Sequence, residues 1–250
     1  MKINLYSIIR NEAKILPFWL QYYKRIADRI IVYDDQSDDK SREMLKEAGV
    51  ELRDYPGTLL DDGEMAYLYS QCYREDKSAD FSILVDADEF VWGEKFFEEL
   101  ALAKKQGTHI IELPGYEMWS DSFPIYNGVP IVSQIKRGER ASWWANQGFK
   151  PCILSPHVEI GLGCGRHFYY GALHQNSSRG IHLKLLHYRN LGYEYYHWHH
   201  MKNAERLSPN RADKTWGQHN YKPLSKEEFT DRTLDSRPIL LGYRGNIPLW

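Results

Sequence analysis

Three carboxylates within four residues, Asp86, Asp88 and Glu89, directly follow the apolar run Phe81-Ser-Ile-Leu-Val85. Carboxylates that close repel one another unless a cation neutralises them. Mg²⁺ and Mn²⁺ are hard ions that take oxygen ligands and bridge to phosphate oxygens, so a strand ending in this turn suits a metal–diphosphate site. The competing reading is a solvated strand end that caps the next helix. A second acidic cluster, Asp34-Asp35-Gln-Ser37-Asp38-Asp39, ends the run Arg29-Ile-Ile-Val-Tyr33. An Asp at such a strand end can accept hydrogen bonds from a base edge or a ribose hydroxyl. Ser37, Asp38 and Asp39 also suit the N-terminus of a following helix, and both uses are compatible.

Strands must place these clusters, and the first 113 residues predict them at 3–9, 29–34, 50–55, 81–85 and 108–113. Helical patterns fall between them, near 12–27, 40–48, 63–75 and 94–105. Such alternation predicts βαβ crossovers and a largely parallel sheet covered on both faces. Ligands bind beyond the carboxyl ends of strands in such sheets, where both acidic clusters lie. Past Pro114 aromatics, Gly and Pro become dense, with short strands expected at 129–136, 150–154 and 180–187 and helices at 193–207 and 225–231. No linker divides the halves, so residues 1–250 read as one domain with a smaller second lobe from 114.

The net charge of −2 averages two unlike parts. Residues 1–100 carry 22 Asp+Glu against 13 Lys+Arg, whereas residues 101–250 carry 12 against 19, with nine of the ten histidines beyond residue 150. An aromatic content of 14% without low-complexity tracts excludes disorder. There is no uncharged apolar run of about 18 residues and no apolar signal core, which points to the cytoplasm, with a peripheral membrane location compatible. Cys72, Cys152 and Cys164 form no CxxC pair and read as reduced thiols. A total charge near zero disfavours nucleic acid as a partner, although the basic half leaves a local patch open. No GxxxxGK[ST] or strand-linked GxGxxG occurs, and Gly161-Leu-Gly-Cys-Gly165 reads as a loop.

Four motifs occur in order over residues 3–90: Ser7-Ile-Ile-Arg10-Asn11-Glu12, Trp19-Leu-Gln-Tyr-Tyr, Ile31-Val-Tyr-Asp34-Asp35-Gln-Ser37-Asp38-Asp39 and Leu84-Val-Asp86-Ala-Asp88-Glu89-Phe90. The series resembles the N-terminal signature of family-2-type glycosyltransferases, in particular a bacterial and viral branch reading RNE…DADEF. That resemblance implies an α/β GT-A fold: a Rossmann-like, mostly parallel central sheet with helices on both faces and a smaller mixed second lobe. It implies Mn²⁺ or Mg²⁺, a nucleotide-diphosphate sugar donor with a UDP-sugar favoured, and inverting transfer to an acceptor hydroxyl, of a glycan by preference. Residues 1–113 would then bind the donor and 114–250 the acceptor. By the same resemblance Arg10, Asn11, Glu12 and Asp62 lie on the donor side, and Asp34 or Asp35 faces the nucleobase. Asp86 lies near the ribose or donor sugar, and Asp86 and Asp88 hold the metal.

Downstream, Phe149-Lys150-Pro151, Arg166-His167, Leu186-His187-Tyr188 and a helix bearing Lys202 are similar to the same branch. His187 is then a further metal ligand or a diphosphate contact, Lys150 joins the donor contacts, and Lys202 and Arg206 neutralise the leaving group. The acidic pair that family-2 enzymes often use as base is absent, which leaves Glu117 or Asp121 as candidates. In His197-Trp-His199-His200 the first and last share a helix face and His199 does not, so the group reads as a polar face rather than a metal cluster. Trp119, Trp143, Trp144, Phe168, Tyr169 and Tyr170 read chiefly as packing, with one or two stacking on a sugar. A nucleotidyltransferase would need a Gly-rich basic loop after the first strand, where Arg10-Asn11-Glu12 has no glycine. A non-catalytic carbohydrate-binding protein would not need Asp86 and Asp88 intact.

Overall fold

The computed structural model describes residues 1–57, 60–142, 148–171, 176–179, 182–206 and 222–239. The first half runs β1 (Ile3–Ile9), α1 (Leu16–Tyr23), β2 (Arg29–Asp34), α2 (Ser41–Glu47), β3 (Glu51–Asp54), α3 (Asp62–Cys72), β4 (Phe81–Leu84), β5 (Glu89–Trp92) and α4 (Phe96–Lys105). It continues with β6 (Ile110–Ser120), α5 (Ile131–Gln134), β7 (Arg137–Arg140), β8 (Phe149–Leu154), β9 (Gly161–Leu162), a 3₁₀ turn at Cys164–Arg166 and β10 (Tyr169–Tyr170). The last elements are β11 (Ser177–Arg179), β12 (Lys184–Leu191), α6 (Tyr193–Ala204), α7 (Lys226–Asp235) and β13 (Arg237–Pro238).

The fold is α/β. Strands β3, β2, β1 and β4 lie side by side and parallel, with Tyr6 opposite both Ile31 and Leu84. β8 adds antiparallel to β4, β6 antiparallel to β8, and β7 antiparallel to β6. β12 runs parallel to β6 and carries β5 antiparallel on its other edge. All seven residues of β1 are buried, because helices cover both faces. Successive side chains feed two cores: Ile3, Leu5 and Ile9 join Trp19 and Tyr23 of α1, whereas Tyr6 and Ile8 join Ala66 and Tyr69 of α3. β6 runs through residue 113, so one strand carries backbone pairing from the parallel half into the mixed half.

The differences from the sequence reading have local causes. The first helix is confined to Leu16–Tyr23, with Pro17 in its opening turn. Instead of a strand over 129–136, Pro130 leads into the single turn α5, and β7 begins only at Arg137. The carboxylate turn opens no helix; it enters β5, which pairs Glu89 with His187 and Trp92 with Lys184. His187 is interior to β12, which continues to Leu191. Ser37 and Asp38 do not cap α2, whose first residue is Ser41. Ser37 Oγ accepts from Asn11 N at 3.0 Å, and Asp38 exchanges two hydrogen bonds with the Asn11 side chain. Only Asp39 serves α2, accepting from Ser41 N at 2.8 Å. Trp143, Trp144, residues 180 and 181, and the segments 207–221 and 240–250 lie outside the described residues. Among the described residues no helix is long and apolar enough to cross a membrane.

β5 has β12 on one side only, and α1 supplies its second anchor. The fully buried Tyr23 hydroxyl donates to Glu89 O at 2.9 Å and accepts from Val91 N at 3.0 Å. Tyr23→Phe strands both backbone groups in the interior. It should lower stability by about 1–3 kcal/mol, read as a lower urea midpoint at unchanged m-value.

Candidate active site

The backbone of the turn closes on itself: Asp86 N donates to Glu89 Oε2 at 3.0 Å, and Glu89 N donates to Asp86 O at 3.1 Å. Two cations from the second half neutralise it. Arg166 spans both carboxylates, Nη1 to Asp86 Oδ1 at 2.8 Å and Nη2 to Glu89 Oε2 at 2.8 Å. Lys150 Nζ lies 2.5 Å from Glu89 Oε1 and 3.6 Å from Asp86 Oδ2. Glu89, Lys150 and Arg166 are buried, and the Arg166 guanidinium stacks 4.3 Å above the Tyr69 ring. Burial alone would raise the Asp86 carboxyl, but Arg166 and Lys150 outweigh it and hold that group well below the ordinary carboxylate range. His167 next door is pushed down to about 3 by burial and by Lys150, Arg166 and His187, so it stays neutral.

Arg166 reaches the turn from a left-handed backbone, φ 56°, after Gly165 at φ 60°. Asn11 and Gln36, at φ 55° each, are the other non-glycine residues with positive φ among those described, and they sit in the loops after β1 and β2. Backbone strain of this kind collects where a loop must aim a group rather than relax.

Asp88 points elsewhere. Register on β12 sets His187 opposite Glu89 on one side and Glu117 on the other. The imidazole bridges Asp88 and Glu117, with Nε2 3.1 Å from Asp88 Oδ2 and Nδ1 2.9 Å from Glu117 Oε2. Burial would lower the His187 pKa, yet the flanking Glu117 and Asp88 carboxylates raise it well above the ordinary value. Burial likewise opposes ionisation of Asp88, and His187, His199 and Arg189 together hold its pKa far down. The 3.1 Å between His187 Nε2 and Asp88 Oδ2 is a hydrogen bond, and the two side chains are of types that could hold a divalent ion if the imidazole gave up that proton. Glu117 on the other ring nitrogen is the partner a ligating histidine needs. Asp86, held by Arg166 and Lys150, does not join that pair, and no group of three or more His, Cys, Asp or Glu side chains converges as a metal site among the described residues.

Two further cross-links close the rim. His199 Nε2 lies 3.0 Å from Glu12 Oε1, beneath the Tyr195 hydroxyl; burial raises the Glu12 pKa despite this histidine. Arg206 makes a bidentate contact with Asp35, at 2.7 and 3.0 Å, and Arg10 donates to Asp35 O at 2.7 Å. Asp34 Oδ2 accepts from Arg42, whereas its Oδ1 is buried without a hydrogen bond, as is the Tyr55 hydroxyl after β3.

Several expected contacts fall elsewhere. Lys150 is buried beneath the turn rather than open to a donor, because Glu89 cannot be interred without it. Lys202 is half-exposed and pairs with Glu205 one turn along α6. Asp62 is in the first turn of α3 behind Asp61, the actual N-cap, and Asp121 is exposed after β6. Tyr69 and Tyr55 took no role from the sequence, whereas Arg166 was quoted within the downstream resemblance without a role and His199 only as part of a polar helix face.

No protein family of known profile matches the chain, and no curated protein matches it in sequence. Among solved structures it aligns with residues 1–349 of S. aureus TarS at 10% identity, covering 94% of this chain and 79% of that one with a TM-score of 0.47. It aligns with TarS 1–349 in complex with UDP-GlcNAc at 13% identity, over 50% of this chain and 37% of that one, TM-score 0.38. Glucosyl-3-phosphoglycerate synthase from Mycobacterium tuberculosis, in complex with Mn²⁺, UDP and glucosyl-3-phosphoglycerate, aligns at 17% identity over 46% and 44% of the two chains, TM-score 0.32. These neighbours are GT-A-type glycosyltransferases. The chain spans less than half the length of the last two. Similarity of this degree assigns no activity.

The clamp has a measurable weight. Arg166→Met leaves buried Glu89 short of one cation and should cost about 3–5 kcal/mol in chemical denaturation. Adding Glu89→Gln to that variant should restore part of the loss, because the uncompensated charge is then gone.

Proposed function

We propose that the chain is a metal-dependent transferase that moves a glycosyl group from a nucleoside-diphosphate sugar, a UDP-sugar by preference, to an acceptor hydroxyl with inversion. On this reading it is one GT-A domain, with 1–113 binding the donor and 114–250 facing the acceptor. One observation carries it: the Asp88, His187 and Glu117 chain of contacts at the carboxyl edge of a parallel sheet, beside strand-end acids suited to a nucleoside.

Asp88 and His187 would hold Mn²⁺ or Mg²⁺, with Glu117 fixing the imidazole tautomer. The bound ion would supply charge neutralisation for the nucleoside-diphosphate leaving group. Asp34 and Tyr55, at the ends of β2 and β3, each keep a buried polar oxygen without a hydrogen bond. Arg206, anchored on Asp35, brings a guanidinium to the same edge. Because Glu117 is committed to His187, the exposed Asp121 is the better candidate to take the proton of the acceptor hydroxyl. The motif series over residues 3–90 supports the donor class independently of these distances.

Calorimetry of UDP with and without Mn²⁺, together with UDP release from UDP-GlcNAc and UDP-glucose, tests the proposal. Glu117→Gln should weaken Mn²⁺ by about 10–100-fold, and Asp88→Ala should abolish the effect of Mn²⁺ on UDP affinity. UDP affinity that is equal in EDTA and in Mn²⁺ and survives Asp88→Ala would refute the metal site. Asp121→Asn should reduce turnover by about 10²–10⁴-fold with UDP affinity unchanged; full turnover would remove Asp121 as the base.

A further inference from the structure

Arg206, just past the end of α6, is fastened at two points along the carboxyl edge of the parallel strands. Its guanidinium forks onto both oxygens of Asp35, after β2, at 2.7 and 3.0 Å. Its carbonyl accepts from Leu60 N, just ahead of α3, at 3.0 Å. One residue therefore ties the loop after β2 to the segment that opens α3. Tyr55, at the end of β3, lies among these groups. Burial pushes its hydroxyl up to about 12, and the charges of Glu64, Asp35, Asp61 and Arg206 all act on it. That hydroxyl is buried with no hydrogen-bond partner, and a Cβ at Gly57 would stand 2.3 Å from the Tyr55 ring, which leaves the ring no room on that side.

Among the described residues Arg206 alone holds the Asp35 carboxylate. Arg10 donates to the Asp35 backbone carbonyl at 2.7 Å, and Arg42 is engaged by Asp34 and Asp54 at 2.8 and 2.7 Å. Asp35 is 2% exposed with both oxygens in use, so a group arriving from solution bonds to it only if Arg206 lets go. The Arg206 side chain keeps 17% of its surface in water, so the guanidinium is the partner that can leave. We propose that Arg206 is an autoinhibitory strap: in the free protein it occupies Asp35, and a nucleoside enters the edge at β2 and β3 only as the guanidinium withdraws. The inference rests on the reading of this edge as the nucleoside side of a glycosyltransferase. An entering base with an N–H takes over as donor to Asp35, so the buried acid keeps a partner in both states. Arg206 is then a competitor of the nucleoside rather than a contact of its diphosphate, and the apparent affinity is that of the open site multiplied by the fraction of molecules with the strap released.

The test is calorimetry of the full chain with UDP, GDP, CDP and dTDP in the presence of Mn²⁺, followed by stopped-flow measurement with whichever binds tightest. Arg206→Met should raise the affinity for that nucleotide by about fivefold. The wild-type association rate should level off at high nucleotide, where strap release limits it, and that plateau should vanish in Arg206→Met. Arg206→Lys, which keeps the charge without the fork, should fall between the two and serves if Arg206→Met does not fold. Affinity that is unchanged or lower in the variants overturns the strap and leaves the donor reading standing. Failure of all four nucleotides to bind either the wild type or the variants overturns both.

Discussion

Arg166 and Lys150 neutralise Asp86 and Glu89 beneath the turn after β4, and the rest of the site depends on that neutralisation. Three carboxylates cannot share a turn in a low-dielectric interior without compensation. With two of them satisfied from below, Asp88 is the one turned toward His187, and β5 can begin inside the core rather than in solvent. Glu89 therefore acts as a structural acid within a motif whose neighbouring acid pairs with His187 instead.

The same logic extends to the charge division along the chain. Glu12, Asp35, Asp86, Asp88 and Glu89 belong to the acidic first hundred residues. Their partners, His199, Arg206, Arg166, His187 and Lys150, all lie at or beyond residue 150. The two halves complement each other directly, through buried or half-buried pairs that fix β8, β12, α6 and the 3₁₀ turn against the ends of β1, β2 and β4. Lys150, Arg166 and Arg206, cations past residue 100 that could be imagined facing a diphosphate, are thus spent on the protein's own carboxylates.

What could be read from sequence follows from where burial makes the pattern plain. β1, β2 and β4 are buried along their length, so their runs are mostly apolar, and the ends of β2 and β4 stand out as acids. The turn at Asp86 and its likeness to a glycosyltransferase signature were legible for that reason. β5 was not, because Glu89-Phe-Val-Trp is four residues long and owes its state to β12, nearly a hundred residues away. Helix periodicity set His197 and His200 together, yet His199 is the one that meets Glu12 in the loop after β1, because the way α6 packs decides which face matters. Lys150 and Lys202 took their roles from the downstream resemblance, which carries no information on burial. Tertiary packing buries one and leaves the other at the surface.

The most direct test is anomalous diffraction at the manganese edge from crystals grown with Mn²⁺ and UDP. A peak within bonding distance of both Asp88 and His187 is the expected result, with Arg166 still seated on Asp86 and Glu89. A peak on Asp86 with Arg166 displaced, or UDP bound with no manganese beside Asp88, would contradict it.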